Sequence, residues 1–221
     1  MSKSRLAVLI SGRGSNMLAL HEATLNGALE ADIVGVLSDR AGAKGLTAAR
    51  ERGLRAVDVE AEGRSGRTAR EAALEDHLRA LEPDIICLAG YLRILTGEFL
   101  QRWPRKVVNI HPSLLPSFPG LDTHRRALDA GVAIHGCTVH GVTAGVDEGP
   151  IIAQSAVPVL PGDDESTLSN RVLSAEHELY PAAISDLLAG NVRWEQDGMR
   201  RLSGRGWHRI GRAGAARRPI G

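Results

Sequence analysis

The chain has 221 residues, of which 43% are hydrophobic and 24% are charged, and these are ordinary values for one globular domain. No apolar run approaches the roughly 20 residues of a membrane-spanning helix, and the apolar stretch at 6–10 is too short for a signal peptide. Cys87 and Cys137 lie far apart, which suits a reducing compartment and does not indicate a metal site. We therefore predict a cytoplasmic protein without a membrane or metal partner.

The net charge of +1 is unevenly distributed along the chain. Seven arginines and no acidic residue follow position 197, so the first 197 residues carry 20 basic and 26 acidic side chains. A nucleic-acid-binding body would be basic, and only 3% of the residues are aromatic, which leaves few platforms for base stacking. We expect no nucleic acid as a partner, with RNA binding by the terminal arginines as the disfavoured alternative. Residues 1–203 are predicted to form one domain and residues 204–221 a mobile Arg/Gly-rich tail.

Apolar runs of strand length alternate with stretches of helical periodicity over most of the chain. The predicted strands lie at 5–10, 31–38, 54–59, 84–89, 107–111, 134–142 and 150–158, and the predicted helices at 16–25, 43–52, 67–81, 96–102, 122–130 and 164–188. A hairpin is predicted at 192–202, around Asp197 and Gly198. This alternation predicts a single-domain, Rossmann-like α/β fold, in which a mostly parallel sheet carries helices on both faces.

The loop Ser11-Gly-Arg-Gly-Ser-Asn16 joins the first strand to the first helix. A glycine turn before a helix directs free backbone N–H groups at an anion, and Ser15 or Asn16 could cap the helix. Met17 stands where a dinucleotide-binding fingerprint needs glycine, and the sequence lacks the Gly-Lys-Ser/Thr of a P-loop. The loop therefore predicts a site for a phosphate monoester, while a tight turn that merely needs glycine is the alternative.

Polar side chains lie where the predicted strand 107–111 runs into a loop stiffened by three prolines. Asn109 and His111 belong to this strand end, and Asp147 lies in the polar loop 143–149. A histidine transfers protons near neutral pH, a neighbouring carboxylate raises its pKa and favours imidazolium, and an amide can donate to a developing oxyanion. These residues predict acyl-type transfer through a tetrahedral intermediate. The alternative is that Asn109 and His111 only satisfy backbone groups at the bend.

The sequence contains no evident protein nucleophile. It lacks a Gly-x-Ser-x-Gly elbow, and neither cysteine lies in a strand-end loop. The histidines are too scattered to indicate a metal site. The nucleophile is therefore expected to come from the substrate. Arg93, which follows the predicted strand 84–89, is either a ligand contact or a solvated charge.

Several of these motifs, in the same order along the chain, resemble the phosphoribosylglycinamide formyltransferases, which are folate-dependent enzymes of purine biosynthesis. The resemblance spans residues 6–202 and rests on Val8-Leu-Ile-Ser-Gly-Arg-Gly-Ser-Asn16, Leu88-Ala-Gly-Tyr-Leu-Arg-Ile-Leu95, Asn109-Ile-His-Pro-Ser-Leu-Leu-Pro116, Pro119-Gly120, Asp147-Glu-Gly-Pro-Ile151 and Ala175-Glu-His177. It implies the formyltransferase fold and transfer of a formyl group from 10-formyltetrahydrofolate to glycinamide ribonucleotide. The amine of that nucleotide would supply the missing nucleophile.

The resemblance also implies roles for single residues. Gly14, Ser15 and Asn16 would bind the substrate phosphate, and Glu176 would meet the ribose. The folate would be held by Arg67, Leu92, Arg93, Ile94, Leu95 and the backbone of 143–147, with Asn109 beside the transferred group. Asn109 and His111 would stabilise the formyl oxyanion, while Asp147 would raise the His111 pKa and pass protons through water. Leu173 and Asp122 depart from the family pattern, which often has a polar residue and a histidine there.

Three alternatives differ in the acceptor or in the chemistry. Methionyl-tRNA formyltransferases share the Ser-Leu-Leu-Pro segment but carry a tRNA-binding domain, for which 221 residues leave no room. Formyltetrahydrofolate hydrolases, which use water as the acceptor, normally carry an N-terminal regulatory domain, whereas this chain starts at the first predicted strand. A catalytically silent folate- or nucleotide-binding module would not need Asn109, His111 and Asp147 together. The sequence leaves a homodimer open.

Overall fold

Strands and helices follow one another in the alternating order that the sequence predicts. The computed structural model describes residues 3–59, 66–195 and 198–202, and the backbone of 209–210. In these residues the strands are β1 (Ser4–Ile10), β2 (Ala31–Ser38), β3 (Ala56–Asp58), β4 (Ile85–Leu88), β5 (Val107–His111), β6 (Ile134–Gly141), β7 (Ile151–Pro158), β8 (Val192–Glu195), β9 (Gly198–Arg201) and β10 (Arg209–Ile210). The helices there are α1 (Ser15–Leu25), α2 (Lys44–Glu51), α3 (Arg67–Leu81), α4 (Gly97–Arg102), α5 (Thr123–Asp129) and α6 (Glu165–Leu188).

In the described part of the chain, eight strands form one sheet with the spatial order β10-β7-β6-β5-β4-β1-β2-β3. β1 is parallel to both of its neighbours, β2 and β4, and β6 alone is antiparallel to the strands beside it. The mostly parallel Rossmann-like sheet is therefore confirmed, although no sequence pattern predicts the reversed direction of β6. The strand order changes direction at β1 and β4, and ligands bind at the carboxyl ends of such strands in open α/β sheets.

Helices cover both faces of this sheet. Leu6, Val8 and Ile10 of β1 belong to a buried cluster that also contains side chains of α1, α2 and α6. Ala7 and Leu9 belong to a second cluster, with side chains of α3 and α4. Because alternate residues of a strand point to opposite faces, β1 is buried on both sides, as expected for a central parallel strand. None of the helices in the described part has the length and apolarity that crossing a bilayer requires.

The C-terminal residues follow the prediction only in part. β8 and β9 are antiparallel, which confirms a hairpin, although its turn at 196–197 lies outside the described residues. Arg209–Ile210 pair with Ser155 and Ala156 of β7, whereas the sequence indicated no element there. The rest of the predicted mobile tail at 204–221 lies outside the described residues. Its character therefore stays a prediction.

Candidate active site

A cleft of about 610 Å³ opens where the strand order reverses. The loops after β1, β4, β5 and β6 line it, together with one side of α6. The predicted site residues in its lining are Ser15, Asn16, Leu92, Arg93, Ile94, Leu95, Asn109, His111, Asp147 and Glu176. Of the predicted residues, Gly14 and Arg67 lie outside the lining. Folding thus gathers most of the predicted site from distant parts of the chain.

His111 and Asp147 are within contact distance at this cleft. The His111 Nδ1 atom lies 3.3 Å from Asp147 Oδ2, and Nε2 lies 3.1 Å from the Phe118 carbonyl oxygen. Asp147 Oδ2 also accepts a hydrogen bond of 2.8 Å from the Gly120 N–H. The backbone after the prolines therefore fixes the carboxylate against the imidazole. Both nitrogens of His111 face oxygen acceptors, an arrangement that satisfies the imidazolium form fully.

The pKa of His111 nevertheless lies below its ordinary value. Burial of the ring lowers it most, and this effect outweighs the Phe118 carbonyl and the Asp147 charge, which both raise it. The expectation that Asp147 raises the His111 pKa is correct for the contribution of the carboxylate. It is wrong for the net shift, because the sequence could not reveal how deeply the ring is buried. The neutral form of the imidazole therefore predominates near pH 7.

Asp147 is held as a carboxylate. Burial raises its pKa, but the neighbouring His140 side chain, the hydrogen bond from the Gly120 N–H and the nearby His111 outweigh burial, so the pKa lies below its usual value. The residue adopts a left-handed backbone conformation with φ of 55°. This conformation turns the loop so that its carboxylate faces β5 and β6. A stable negative charge therefore stands beside His111.

His140 completes the arrangement, and the sequence analysis assigned it no role there. Its Nε2 atom lies 3.2 Å from Asn109 Nδ2 and 3.6 Å from Asp147 Oδ1. Its Nδ1 atom lies 2.9 Å from the Gly141 carbonyl, which can only accept, so Nδ1 carries a proton. In the neutral ring, Nε2 then accepts one N–H of Asn109 and leaves the other N–H for the cleft. Asn109 and His140 are register partners across β5 and β6, a pairing that no local sequence signal indicates.

A second pair of histidines lies at the cleft, and one of them, His124, is part of its lining. The ring centroids of His124 and His135 are 5.3 Å apart and edge to face. Burial and the neighbouring His124 lower the pKa of His135 to about 4, so this ring is neutral at pH 7. Within the residues that the structure describes, no group of three or more His, Cys, Asp or Glu side chains could hold a metal ion.

The loop between β1 and α1 has the features of an anion site. Gly14 is the N-cap of α1 in a left-handed conformation, with φ of 75°, and no side chain caps the helix. The prediction that Ser15 or Asn16 caps it is therefore wrong, because the helix already begins at Ser15. Uncapped N–H groups at a helix start attract anions. Asn16 is buried, and its Oδ1 atom has no partner in the described structure.

Gly45 supports this loop from α2, and the sequence analysis did not single it out. Its N–H donates to the Gly12 carbonyl at 3.0 Å. A Cβ atom at Gly45 would lie 2.5 Å from Ile10 Cδ1 and 3.1 Å from both Gly12 O and Gly14 Cα. Only glycine therefore allows α2 to approach the loop this closely.

Glu176 of α6 faces the same loop. It accepts a 2.8 Å hydrogen bond from Asn16 Nδ2 and is only 6% exposed. Burial raises the pKa of Glu176 to about 7, and the Asn16 hydrogen bond only partly offsets this effect. A buried carboxyl group and an unpartnered amide oxygen thus lie beside the uncapped helix start.

The segment Leu92–Leu95 forms the opposite wall of the cleft. Leu92 and Ile94 are each 58% exposed although they are large and apolar. The Arg93 Nε atom lies 2.8 Å from Asp39 Oδ2, so Arg93 is not simply a solvated charge. Arg67 donates from Nη2 to the Ile94 carbonyl at 2.7 Å and supports the segment from behind.

Sequence and fold comparisons find relatives over most of the chain. The family model described as Formyl transferase matches residues 4–184. The phosphoribosylglycinamide formyltransferase of Escherichia coli (strain K12) is 39% identical over 192 residues, which cover 87% of this chain and 91% of that enzyme. The chain belongs to the phosphoribosylglycinamide formyltransferase family. A solved structure, glycinamide ribonucleotide transformylase 1 from Symbiobacterium toebii, matches with a TM-score of 0.87 and 46% identity over 91% of this chain and 95% of that chain.

Some relatives are much longer than this chain. The trifunctional purine biosynthetic protein adenosine-3 of Bos taurus is 46% identical over 196 residues, which cover 89% of this chain. The chain spans only 14–19% of the length of such trifunctional relatives. The likeness therefore concerns only one part of those proteins.

Proposed function

We propose that the chain transfers the formyl group of 10-formyltetrahydrofolate to the amine of glycinamide ribonucleotide. The products would be N-formylglycinamide ribonucleotide and tetrahydrofolate, in purine biosynthesis. The observation that carries the proposal is the contact of His111 with Asp147, beside Asn109 and in the same cleft as Ser15 and Asn16. With two unpaired cysteines the chain suits a reducing compartment, so we also propose that this reaction between small molecules runs in the cytoplasm.

The amine of the substrate acts as the nucleophile in this proposal. Cys87 and Cys137 are both fully buried and lie outside the cleft lining. Burial raises the pKa of the Cys87 thiol to about 12 and that of Cys137 above its ordinary value, so neither thiolate is available. Direct attack by the substrate amine on the formyl carbon needs no protein nucleophile.

Asn109, His111 and Asp147 act on the tetrahedral intermediate. The free N–H of Asn109 donates to the formyl oxygen as its negative charge develops. That charge favours the imidazolium form of His111, whose two N–H groups face Asp147 and the Phe118 carbonyl and whose positive charge stabilises the oxyanion. Asp147 stabilises the imidazolium, and the amine proton passes through water to the folate nitrogen as the bond of that nitrogen to the formyl carbon breaks. A neutral ring that gains its proton during the reaction fits the lowered pKa of free His111.

The nucleotide would bind at the α1 side of the cleft. Its phosphate would accept hydrogen bonds from the backbone at Gly14, Ser15 and Asn16, where the helix start is uncapped. Its ribose hydroxyls would meet Glu176. The unpartnered Oδ1 atom of Asn16 supports a polar ligand at this place, since buried polar atoms normally have partners.

The folate would bind at the opposite wall. Leu92 and Ile94 offer exposed apolar surface for a flat heteroaromatic ring, and Arg93, Leu95 and Asn109 line the cleft beside them. Arg67 lies outside the cleft lining, so we propose that it meets the distal part of the folate.

The proposal is tested with an absorbance assay of folate deformylation in the purified chain. We expect deformylation of 10-formyltetrahydrofolate only when glycinamide ribonucleotide is added. Equal rates with and without the nucleotide would instead identify a hydrolase that uses water. No deformylation in either case would identify a silent binding module.

Replacement of Gly45 by alanine is expected to raise the KM for glycinamide ribonucleotide about tenfold. The added methyl group pushes the loop Ser11–Asn16, which is proposed to bind the phosphate, away from α2. Steady-state kinetics measure the effect. Gly97→Ala is the matched control, since a Cβ there would meet its nearest neighbour, Ala144 Cβ, at an ordinary 3.8 Å. An unchanged nucleotide KM in Gly45→Ala would contradict a supporting role for α2.

Replacement of Glu176 by glutamine is expected to change how stability depends on pH. The pKa of this carboxyl group rises from 4.5 to about 7 on folding, so its protonated form is stabilised in the folded chain. That contribution is complete below the unfolded pKa and is lost as the pH rises through about 7. Relative to the wild type, Glu176→Gln should therefore gain about 2.5 kcal/mol of unfolding free energy between about pH 5 and pH 8.5. Urea unfolding at both pH values measures it, and parallel pH curves for the two proteins would refute the raised pKa.

A further inference from the structure

Asp39, which directly follows β2, holds the segment Leu92–Leu95 in place although it does not line the cleft. Its side chain is 4% exposed. Asp39 Oδ1 accepts a 2.5 Å hydrogen bond from Ser11 Oγ, and Ser11 Oγ in turn accepts the Leu92 N–H at 2.9 Å. Asp39 Oδ2 lies 2.8 Å from Arg93 Nε. One buried carboxylate therefore fixes both the backbone and a side chain of the segment Leu92–Leu95.

A second carboxylate holds the far end of the same segment. Glu71 of α3 accepts hydrogen bonds from both the N–H and the hydroxyl of Thr96, at 2.8 and 2.5 Å. Between these anchors, the side chains of Leu92 and Ile94 remain exposed in the cleft. Burial of large apolar side chains lowers the free energy, so Leu92 and Ile94 tend to fold back against the protein. The hydrogen bonds at both ends of the segment oppose this collapse and keep the two side chains available for a ligand.

We propose that Asp39 is a positioning residue for folate binding, acting through Ser11 and Arg93. The proposal rests on the function proposed above, because it assigns the wall Leu92–Leu95 to the folate. The carboxylate fixes the direction of the Leu92 N–H and of the Arg93 side chain before the folate arrives. Less conformational freedom is then lost on binding. An asparagine at position 39 can still accept the Ser11 hydroxyl through its amide oxygen, so the loop Ser11–Asn16 on the nucleotide side should keep its conformation when only the charge at Asp39 is removed.

The variant Asp39→Asn tests the proposal, because it keeps the shape of the side chain but removes the charge that pairs with Arg93. Isothermal titration of tetrahydrofolate into the wild-type and variant proteins gives the dissociation constants without any need for turnover. We expect about tenfold weaker binding in Asp39→Asn, the usual effect of losing a charge-assisted hydrogen bond. Steady-state kinetics should show a matching rise in the folate KM, with kcat and the nucleotide KM unchanged.

Asp163→Asn provides a matched control. Asp163 is also paired with an arginine, Arg171, at 2.6 Å, and its side chain is 5% exposed, but it lies outside the cleft lining. Both variants should lose thermal stability, whereas only Asp39→Asn should lose folate affinity. Equal folate affinity in the wild type and Asp39→Asn would overturn the positioning role. An equal rise in both KM values would overturn it as well, because that result indicates general loosening of the fold.

A double-mutant cycle tests the route of the effect. If Asp39 acts through Arg93, then Asp39→Asn should weaken folate binding much less in an Arg93→Ala background than in the wild type. Fully additive effects would overturn the coupling between the two side chains. Failure of the wild-type chain to bind tetrahydrofolate would overturn the proposed function itself. That outcome is distinct from a wild type that binds folate and an Asp39→Asn variant that binds it equally well.

Discussion

Replacement of His111 by alanine is expected to lower kcat about a thousandfold while leaving the fold intact, within the range typical of lost acid–base groups. The imidazole contacts Asp147 and lines the cleft, and alanine at this position supplies neither a proton nor a positive charge to the tetrahedral intermediate. Stopped-flow or steady-state kinetics with both substrates at saturation measure the loss.

Two controls separate this catalytic effect from a structural one. Circular dichroism and thermal unfolding of His111→Ala should remain close to the wild type. His77→Ala, on α3 and outside the cleft lining, should leave kcat unchanged. A kcat within a few-fold of the wild type in His111→Ala would remove this residue from the mechanism.

The variant Asp147→Asn is expected to lower kcat about a hundredfold or more. The amide can still accept the Gly120 N–H, so the loop should keep its conformation. It cannot supply the negative charge that stabilises an imidazolium at His111. Loss of that charge should therefore weaken stabilisation of the oxyanion without loss of substrate binding, which appears as a fall in kcat with little change in either KM.

The Asp147→Asn variant also allows a direct test of the electrostatic contact with His111, because the charge of Asp147 raises the pKa of His111. The His111 pKa should therefore be lower in Asp147→Asn than in the wild-type protein. Titration of the imidazole C–H resonances by NMR follows the ring directly, and the His111→Ala spectrum assigns its signal. An unchanged His111 pKa in Asp147→Asn would contradict the electrostatic contact between the two side chains.

Local sequence patterns predict the helices and strands up to β9 and some of the candidate site residues. The apolar run at β1 predicts a buried parallel strand, which the structure confirms, and the glycine loop after it predicts an anion site. Asn109 and His111 were predictable because a strand that ends in a proline-rich loop exposes its last polar side chains. Each of these predictions depends on residues that are close together in the chain.

The remaining features depend on tertiary contacts that local patterns do not contain. The reversed direction of β6 pairs His140 with Asn109, and no turn signal announces that pairing. The close approach of Gly45 depends on how α2 packs against the loop after β1. The net pKa shift of His111 depends on burial, which outweighs the Asp147 charge that the sequence did predict. Asp39 is missed for the same reason, since its partners Ser11 and Arg93 are distant in sequence.

The destination of the formyl group tests the central claim most directly. The purified chain is given 10-formyltetrahydrofolate labelled with ¹⁴C in the formyl group, together with glycinamide ribonucleotide, and the products are separated by chromatography. Direct attack by the substrate amine predicts that the label appears in N-formylglycinamide ribonucleotide and not in formate. Label recovered mainly as formate, at a rate independent of the nucleotide, would contradict transfer to the amine.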